Sequence, residues 1–321
     1  MATTPIATTH GLTVEKWNSS LFTTYQEKTF FGRFKGTSEN SMIQLKRDLQ
    51  KGPGDAVTFA LSGILSGAGV TGNNVLGTGD TSNEEAMTFY NQRVVIDQIR
   101  NGTRLAGKMD EKRPAFSLRE SAKVQLTDWL AYNEDAAIFT AINGADVVDI
   151  SAAHVAGGGT TAVFNSLDTI PIMKKEAMFP SGATRKIRPI KIENGEEVFI
   201  IGLNPADALS LKQSADWKTI NSNADMRGSS NKLFTGMLGM YDGCIIHEHS
   251  GFVAGSPVLL GAQAAFLAYG DPIMYGEEEF DYGNQVGFMI GSTRGVALAE
   301  FTDQTPTSQG SHGALVFDIT V

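Results

Sequence analysis

The 321-residue chain is 41% hydrophobic and 19% charged, which places it among globular rather than disordered sequences and gives it length for roughly two domains. A formal net charge of −9 argues against tight, non-specific phosphate binding over a broad surface. One cysteine, Cys244, excludes an internal disulfide and a cysteine-based zinc site.

Residues 1–30 are rich in Thr and Ser and read as an extended arm; they lack a basic and then apolar leader pattern, so a cytoplasmic product is expected. Residues 30–36, FFGRFKG, form a short aromatic-basic turn. Residues 41–61 alternate and break at Gly52-Pro53-Gly54. Gly67, Gly69 and Gly72 follow at G-x-G-x-x-G spacing, which can cradle a dinucleotide pyrophosphate. The lead-in, residues 55–61, suits a strand. The exit does not suit a helix, because Asn73, Asn74, Gly77, Gly79 and Asp80 are turn formers. Without a helix N-terminus the site lacks free N–H groups and a favourable dipole. The glycines therefore belong to a long loop between two extended arms, the second being residues 86–105 with Val94, Ile96 and Ile99.

The strongest helix spans residues 117–142. Ser117 and Glu120 form a capping box, Asn143-Gly144 provides the stop, and Leu118, Ala122, Leu126, Trp129, Leu130, Ala137 and Phe139 form an apolar stripe. At the helical rise it is roughly 39 Å long, so it needs a long partner surface. Residues 145–165 read as a loop and 166–180 as a short helix closed by Pro180. Residues 196–203 suit a buried strand. Asn204 and Pro205 then cap and start a helix, with Asp207 in its first turn. Strand-like runs follow at 243–249, 258–270, 285–301 and 314–321, the order of an α+β chain. No run of apolar residues is long enough to indicate a membrane span.

The search for chemistry yields little. His247 and His249 would share one face of a strand and could hold an ion, or simply be surface histidines. The acidic run Glu277-Glu278-Glu279 lacks the spacing of a calcium loop and reads as a solvated face. Cys244, in an apolar run, reads as a buried inert thiol. Arg185, Lys186, Arg188 and Lys191 could touch phosphate or guard a strand edge. No cofactor, no metal and no catalytic residue is expected. An arm, a long two-stranded loop and a long helix cannot all bury themselves, but neighbouring copies of the chain could bury them.

The ordered segments 43–61, 65–72 and 104–131, followed by 187–212, 231–252 and 261–270, resemble the major capsid proteins of tailed phages, in particular the coliphage N-four-type coat protein family. The resemblance implies the α+β Hong Kong-97-type capsid fold. Residues 1–40 would be the N-terminal arm, 55–105 the E-loop, and 41–54 with 106–149 the P-domain carrying spine helix 117–142. Residues 150–284 would be the A-domain, and 285–321 strands returning to the P-domain. It also implies a structural protein rather than an enzyme. Hexamers and pentamers would form an icosahedral shell around double-stranded DNA, held by weak non-specific contact. Expected partners are further copies, a separate scaffolding protein, a portal and decoration or cement proteins, with no membrane. Subunits would assemble in the bacterial cytoplasm and reside in the virion. Expected inter-subunit contacts are Gly67, Gly69, Gly72, Asn73 and Asn74 at the loop tip and Phe31, Arg33 and Phe34 in the arm, with Trp129 on the spine. Lys108 and the two asparagines lack an evident activating carboxylate, so a non-covalent shell is expected. The rival readings are an encapsulin-like compartment and a soluble oligomeric enzyme with a nucleotide or metal site.

Overall fold

The computed structural model describes residues 30–47, 54–63, 65, 67, 69–72, 84–113, 117–150, 167–180, 186–192, 195–219, 237–302 and 308–319. A 3-10 turn, Phe30–Phe34, leads into β1 (Lys35–Gly36) and β2 (Ile43–Lys46). Then come β3 (Ala56–Ser62), β4 (Phe89–Val95), β5 (Asp97–Arg104), the short helix α1 (Lys108–Lys112) and the long helix α2 (Leu118–Asn143). Next are β6 (Val147–Asp149), α3 (Thr169–Met178), β7 (Ile190–Lys191), β8 (Glu197–Leu203) and α4 (Pro205–Gln213). The remaining strands are β9 (Met237–Tyr241), β10 (Cys244–Glu248), β11 (Val258–Leu260), β12 (Ala265–Phe280), β13 (Gln285–Leu298), β14 (Glu300–Thr302), β15 (Ser308–Ser311) and β16 (Ala314–Asp318).

The capping box works as its residues dictate. The Ser117 hydroxyl accepts the Glu120 N–H at 3.3 Å, and the N–H of Gly144 closes the other end of α2. The N-terminal half of α2 buries Ala122, Leu126 and Leu130 against Ile273, Phe288 and Ile290 of the long β12–β13 hairpin, with half-buried Trp129 beside them. Its C-terminal half buries Ile138, Phe139 and Ile142 with Phe31, Ile43 and Leu260. The hairpin is thus the long partner surface that a helix of this length requires.

A five-stranded sheet runs β1-β2-β12-β13-β5, and a second sheet runs β6-β16-β11-β8-β10-β9 with β7 on β8. In the second, β8 lies between β10 and β11 and is buried along nearly its whole length. That burial on both faces explains its unbroken apolar run, EVFIIGL. Here α3 and α4 add Ile170, Met173, Ala208 and Leu211 to a separate core. At α4 the Asn204 side chain accepts the Ala206 N–H at 3.0 Å, whereas Asp207 reaches away to accept the Gly255 N–H at 2.9 Å.

Three expected boundaries shift. The extended run 86–105 divides at Ile96: β4 pairs antiparallel with β3, while β5 leaves to pair with β13. The expected division at residue 284 falls inside the β12–β13 turn, so it separates two strands of one hairpin. The C-terminal strands also part company. β13 stays under α2, whereas β16 pairs with β11 and β6 in the other sheet. These are long-range pairings, which the local pattern of a strand does not specify.

Candidate inter-subunit surfaces

The β3–β4 hairpin alternates between buried and exposed positions and is exposed toward its outer end. Alternation turns Val57 and Phe59 of β3 and Val94 of β4 inward, where they meet Phe266, Ala299 and Phe301 at the hairpin base. Phe59 and Phe266 stack with ring centroids 4.0 Å apart. Beyond the base the hairpin carries large apolar side chains into solvent: Leu65 is 57% exposed, Met87 62% and Phe89 60%, while the exposed Val95 lies at the base, opposite Ala56. Three such groups on the outer part of one projecting element make it a candidate interaction surface.

At its far end Gly69 and Gly72 have φ of 67° and 69°, the left-handed region that L side chains avoid. The N–H of Gly67 donates to the Glu85 carboxylate at 2.5 Å. The group a pyrophosphate would need is thus taken by the chain's own acid, and no helix starts among the described residues 69–72. Asn73 and Asn74 lie outside the described residues.

The three arm residues separate. Phe31 is 0% exposed and packs on Phe139 at 4.7 Å, inside the core of its own chain. This corrects its expected role: a ring enclosed on all sides has no surface for a neighbour. Phe34 is half-buried, 5.4 Å from the His247 ring. Arg33 is exposed, its guanidinium 5.8 Å from the Phe34 ring.

Beneath this turn lies a buried ionic cluster that the sequence pattern did not reveal. Glu134 of α2 is 0% exposed and pairs with Lys35 of β1 and with Arg294 of β13, the latter at 3.5 Å. Its second oxygen also accepts the Tyr269 hydroxyl at 2.7 Å. Arg294 donates in addition to Asn133 at 2.6 Å and Ser292 at 3.2 Å. Next door, Asp135 accepts the Phe30 N–H at 2.7 Å and so caps the 3-10 turn. Burial pushes the Glu134 carboxyl up to about 7 against the pull of Arg294, and burial brings Lys35 down to about 8. The cluster ties residues 30–36, the long helix and both strands of the long hairpin together. The one signal in the sequence was Glu134-Asp135 on the side of the helix that otherwise carries Leu130, Ile138 and Ile142.

The remaining candidates take structural places. His247 is buried within β10, while His249 stacks on Phe139 at 4.6 Å and its Nδ1 accepts the Gly251 N–H at 3.0 Å. Burial raises the Cys244 thiol to about 11, leaving little thiolate at neutral pH. Arg188 bonds Gln263 at 3.3 Å and Lys191 pairs with Glu197 at 3.7 Å. Lys186 lies 5.2 Å from the Phe179 ring, so the described members of the basic run have contacts within the chain, and Arg185 lies outside the described residues.

A long helix clamped on a long hairpin, a separate sheet domain and a projecting apolar loop together define a shell-forming coat subunit. The family model for phage capsid protein matches residues 5–164 and 147–258, and the chain belongs to that family. It is 28% identical to the major capsid protein of Pseudomonas phage KPP25, over 89% of each chain. Among solved structures it is similar to the capsid of Ralstonia phage GP4, with TM-score 0.69 and 26% identity over 91% of each chain. It is also similar to the cyanophage Pam1 capsid, with TM-score 0.71 and 21% identity over 92% of this chain and 93% of that one. The fold is the Hong Kong-97-type capsid fold, and the chain is the major capsid protein of a tailed phage, a structural subunit of the virion.

Proposed function

We propose that the chain builds an icosahedral shell of hexamers and pentamers around double-stranded DNA, and that the β3–β4 hairpin is the part that grips the next subunit. The observation that carries this reading is the group of exposed apolar side chains Leu65, Met87 and Phe89 on the outer part of the hairpin, beyond the base at which its inward residues pack. Burying such groups against a neighbour contributes about 25 cal/mol per Å² of apolar surface, repeated at every subunit. Gly69 and Gly72 let the tip turn back, and Gly67, with the adjoining Asn73 and Asn74, extends the contact. Arg33 and Phe34 contact a neighbour from the arm side. Trp129 stiffens the helix on its hairpin.

On this reading α2, β12, β13 and β5 form the peripheral domain and the β8-centred sheet forms the axial one. The sequence segments also support placement in the coliphage N-four-type group. Scaffolding, portal and decoration proteins act as separate partners, DNA is held by weak non-specific contact, assembly occurs in the host cytoplasm, and the chain has no catalytic role. A Met87→Asp/Phe89→Asp variant tests the proposal. The isolated subunit should keep its melting temperature while the yield of shells falls at least tenfold, the fold-change of about 1.4 kcal/mol per contact. Normal shell yield from this variant would refute the hairpin's role.

A further inference from the structure

A cleft of about 620 Å³ opens where three elements meet: the 3-10 turn, the C-terminal half of α2 and the loop that follows β10. Its wall is aromatic. His249 lies flat on Phe139, with 8° between the rings, and Phe30 packs on His249 at 4.5 Å. A Cβ at Gly251 would run into the Phe139 ring, so only glycine lets the loop lie this close. At the mouth Tyr132 is 76% exposed, a large ring left in solvent.

Two acceptors on this wall go unused. The Asp135 carboxylate takes the Phe30 N–H on Oδ2 and is also pulled by that of Phe31, yet its Oδ1 is buried and accepts no hydrogen bond among the described residues. The Asn143 amide is fixed by its Nδ2, which donates to the Gly251 carbonyl at 2.9 Å, and this leaves its Oδ1 buried without a donor. Such acceptors are costly unless something supplies donors. The two residues stand eight positions apart on α2, about 12 Å of helix. A compact donor cannot span that distance. An extended backbone can: its N–H groups recur on one side at every second residue, and four residues reach about 13 Å. The charge shown to solvent at the mouth is the exposed Arg33 guanidinium. Behind the wall Glu134 and Asp135 balance Lys35 and Arg294, and burial keeps His249 below its ordinary value and so neutral at pH 7. The next acid on this face of the helix, Asp128, lies a full turn beyond Tyr132.

We propose that this cleft docks an extended segment of a partner polypeptide other than the coat subunit: backbone N–H groups satisfy Asp135 and Asn143, an apolar side chain packs on Phe139 and Tyr132, and an acidic residue meets Arg33. Main-chain hydrogen bonds then give affinity, while the seated side chain and the acid give specificity. The site is complete within one subunit, so it goes beyond the shell reading and does not rest on it. Arg33 makes this contact on the dissociated subunit, before the neighbour contact proposed above.

The test uses dissociated subunits of the full chain and a set of fluorescein-labelled, capped, threonine-rich hexapeptides. Each carries one glutamate and a central phenylalanine, tyrosine, tryptophan or leucine. Fluorescence anisotropy should show at least one of them binding saturably, with Kd below about 100 µM. Methylating two backbone nitrogens four residues apart removes the donors, and in one of the two registers a hexapeptide allows it should weaken binding at least tenfold. Replacing the glutamate by glutamine should weaken binding about threefold on the native chain and leave it unchanged on Arg33→Gln. Ala136→Trp fills the cleft from an exposed position; it should keep the subunit's melting temperature and weaken binding at least tenfold. No saturable binding by any peptide, methylated peptides of both registers that bind like their parent, or an Ala136→Trp chain that binds like the native one overturns the site. Subunit self-association that Ala136→Trp abolishes would give the cleft to a second copy and overturn the partner. None of these outcomes bears on shell formation, which the Met87→Asp/Phe89→Asp variant tests separately.

Discussion

At the scale of single residues, two side chains hold the arm side of the molecule to the helix. Phe31 is enclosed between α2 and the neighbouring sheets, so Phe31→Ala should cost about 3–5 kcal/mol of subunit stability, measured by denaturant unfolding of dissociated subunits. Glu134 is the common partner of Lys35, Arg294 and Tyr269. Glu134→Ala strands two buried cations and should also cost about 3–5 kcal/mol, whereas Glu134→Gln keeps a hydrogen-bond acceptor and should cost less. The same carboxyl gives a pH signature. Burial raises its value from 4.5 to about 7, so the folded subunit holds the proton more tightly than the unfolded chain does. The stabilisation from proton uptake is fully present below about pH 4.5 and is lost as pH rises through 7. The native subunit should lose up to about 3 kcal/mol relative to Glu134→Gln across that window. Equal pH profiles for the two proteins would show that Glu134 titrates normally.

At the scale of elements, the long helix was legible because each of its signals is local. Ser117, Glu120 and Gly144 mark its ends, and its stripe repeats at helical spacing. The described residues 69–72 start no helix, in keeping with the glycine-rich reading of this stretch, while the turn formers Asn73, Asn74, Gly77, Gly79 and Asp80 lie outside the described residues. What the pattern did not carry was pairing. Nothing near Ile96 says that β5 will leave β4 for a strand almost two hundred residues on, and nothing near residue 284 says that the runs around it are one hairpin. Glu134 was missed for the same reason, since its burial depends on Lys35 and Arg294, each far away in the chain. The glycines yield a prediction at this scale. A Cβ at Gly69 or Gly72 meets nothing within 4 Å, so alanine there should cost only the left-handed backbone term of about 1–2 kcal/mol, with no clash. Thermal unfolding of the Gly69→Ala and Gly72→Ala subunits checks this, and a much larger loss would mean that the tip is packed rather than free-standing.

At the scale of the whole molecule, the division of labour follows from what each core can bury. The β8-centred core and the α2 cores close within the subunit. The outer part of the β3–β4 hairpin, with Leu65, Met87 and Phe89 in solvent, does not. A stable subunit with an unsatisfied projecting surface is complete only in company, and this is the physical content of calling the chain a coat protein. On the proposed reading, a hairpin packed at its base among the described residues can grip neighbours related by slightly different rotations.

The most direct test is electron microscopy of the purified chain, alone and with a scaffolding protein, beside the Met87→Asp/Phe89→Asp variant. Closed shells or rings of five and six from the native chain, with the variant folded but dispersed, are the predicted result. Dispersed native subunits under both conditions, or variant shells indistinguishable from native ones, would contradict the account.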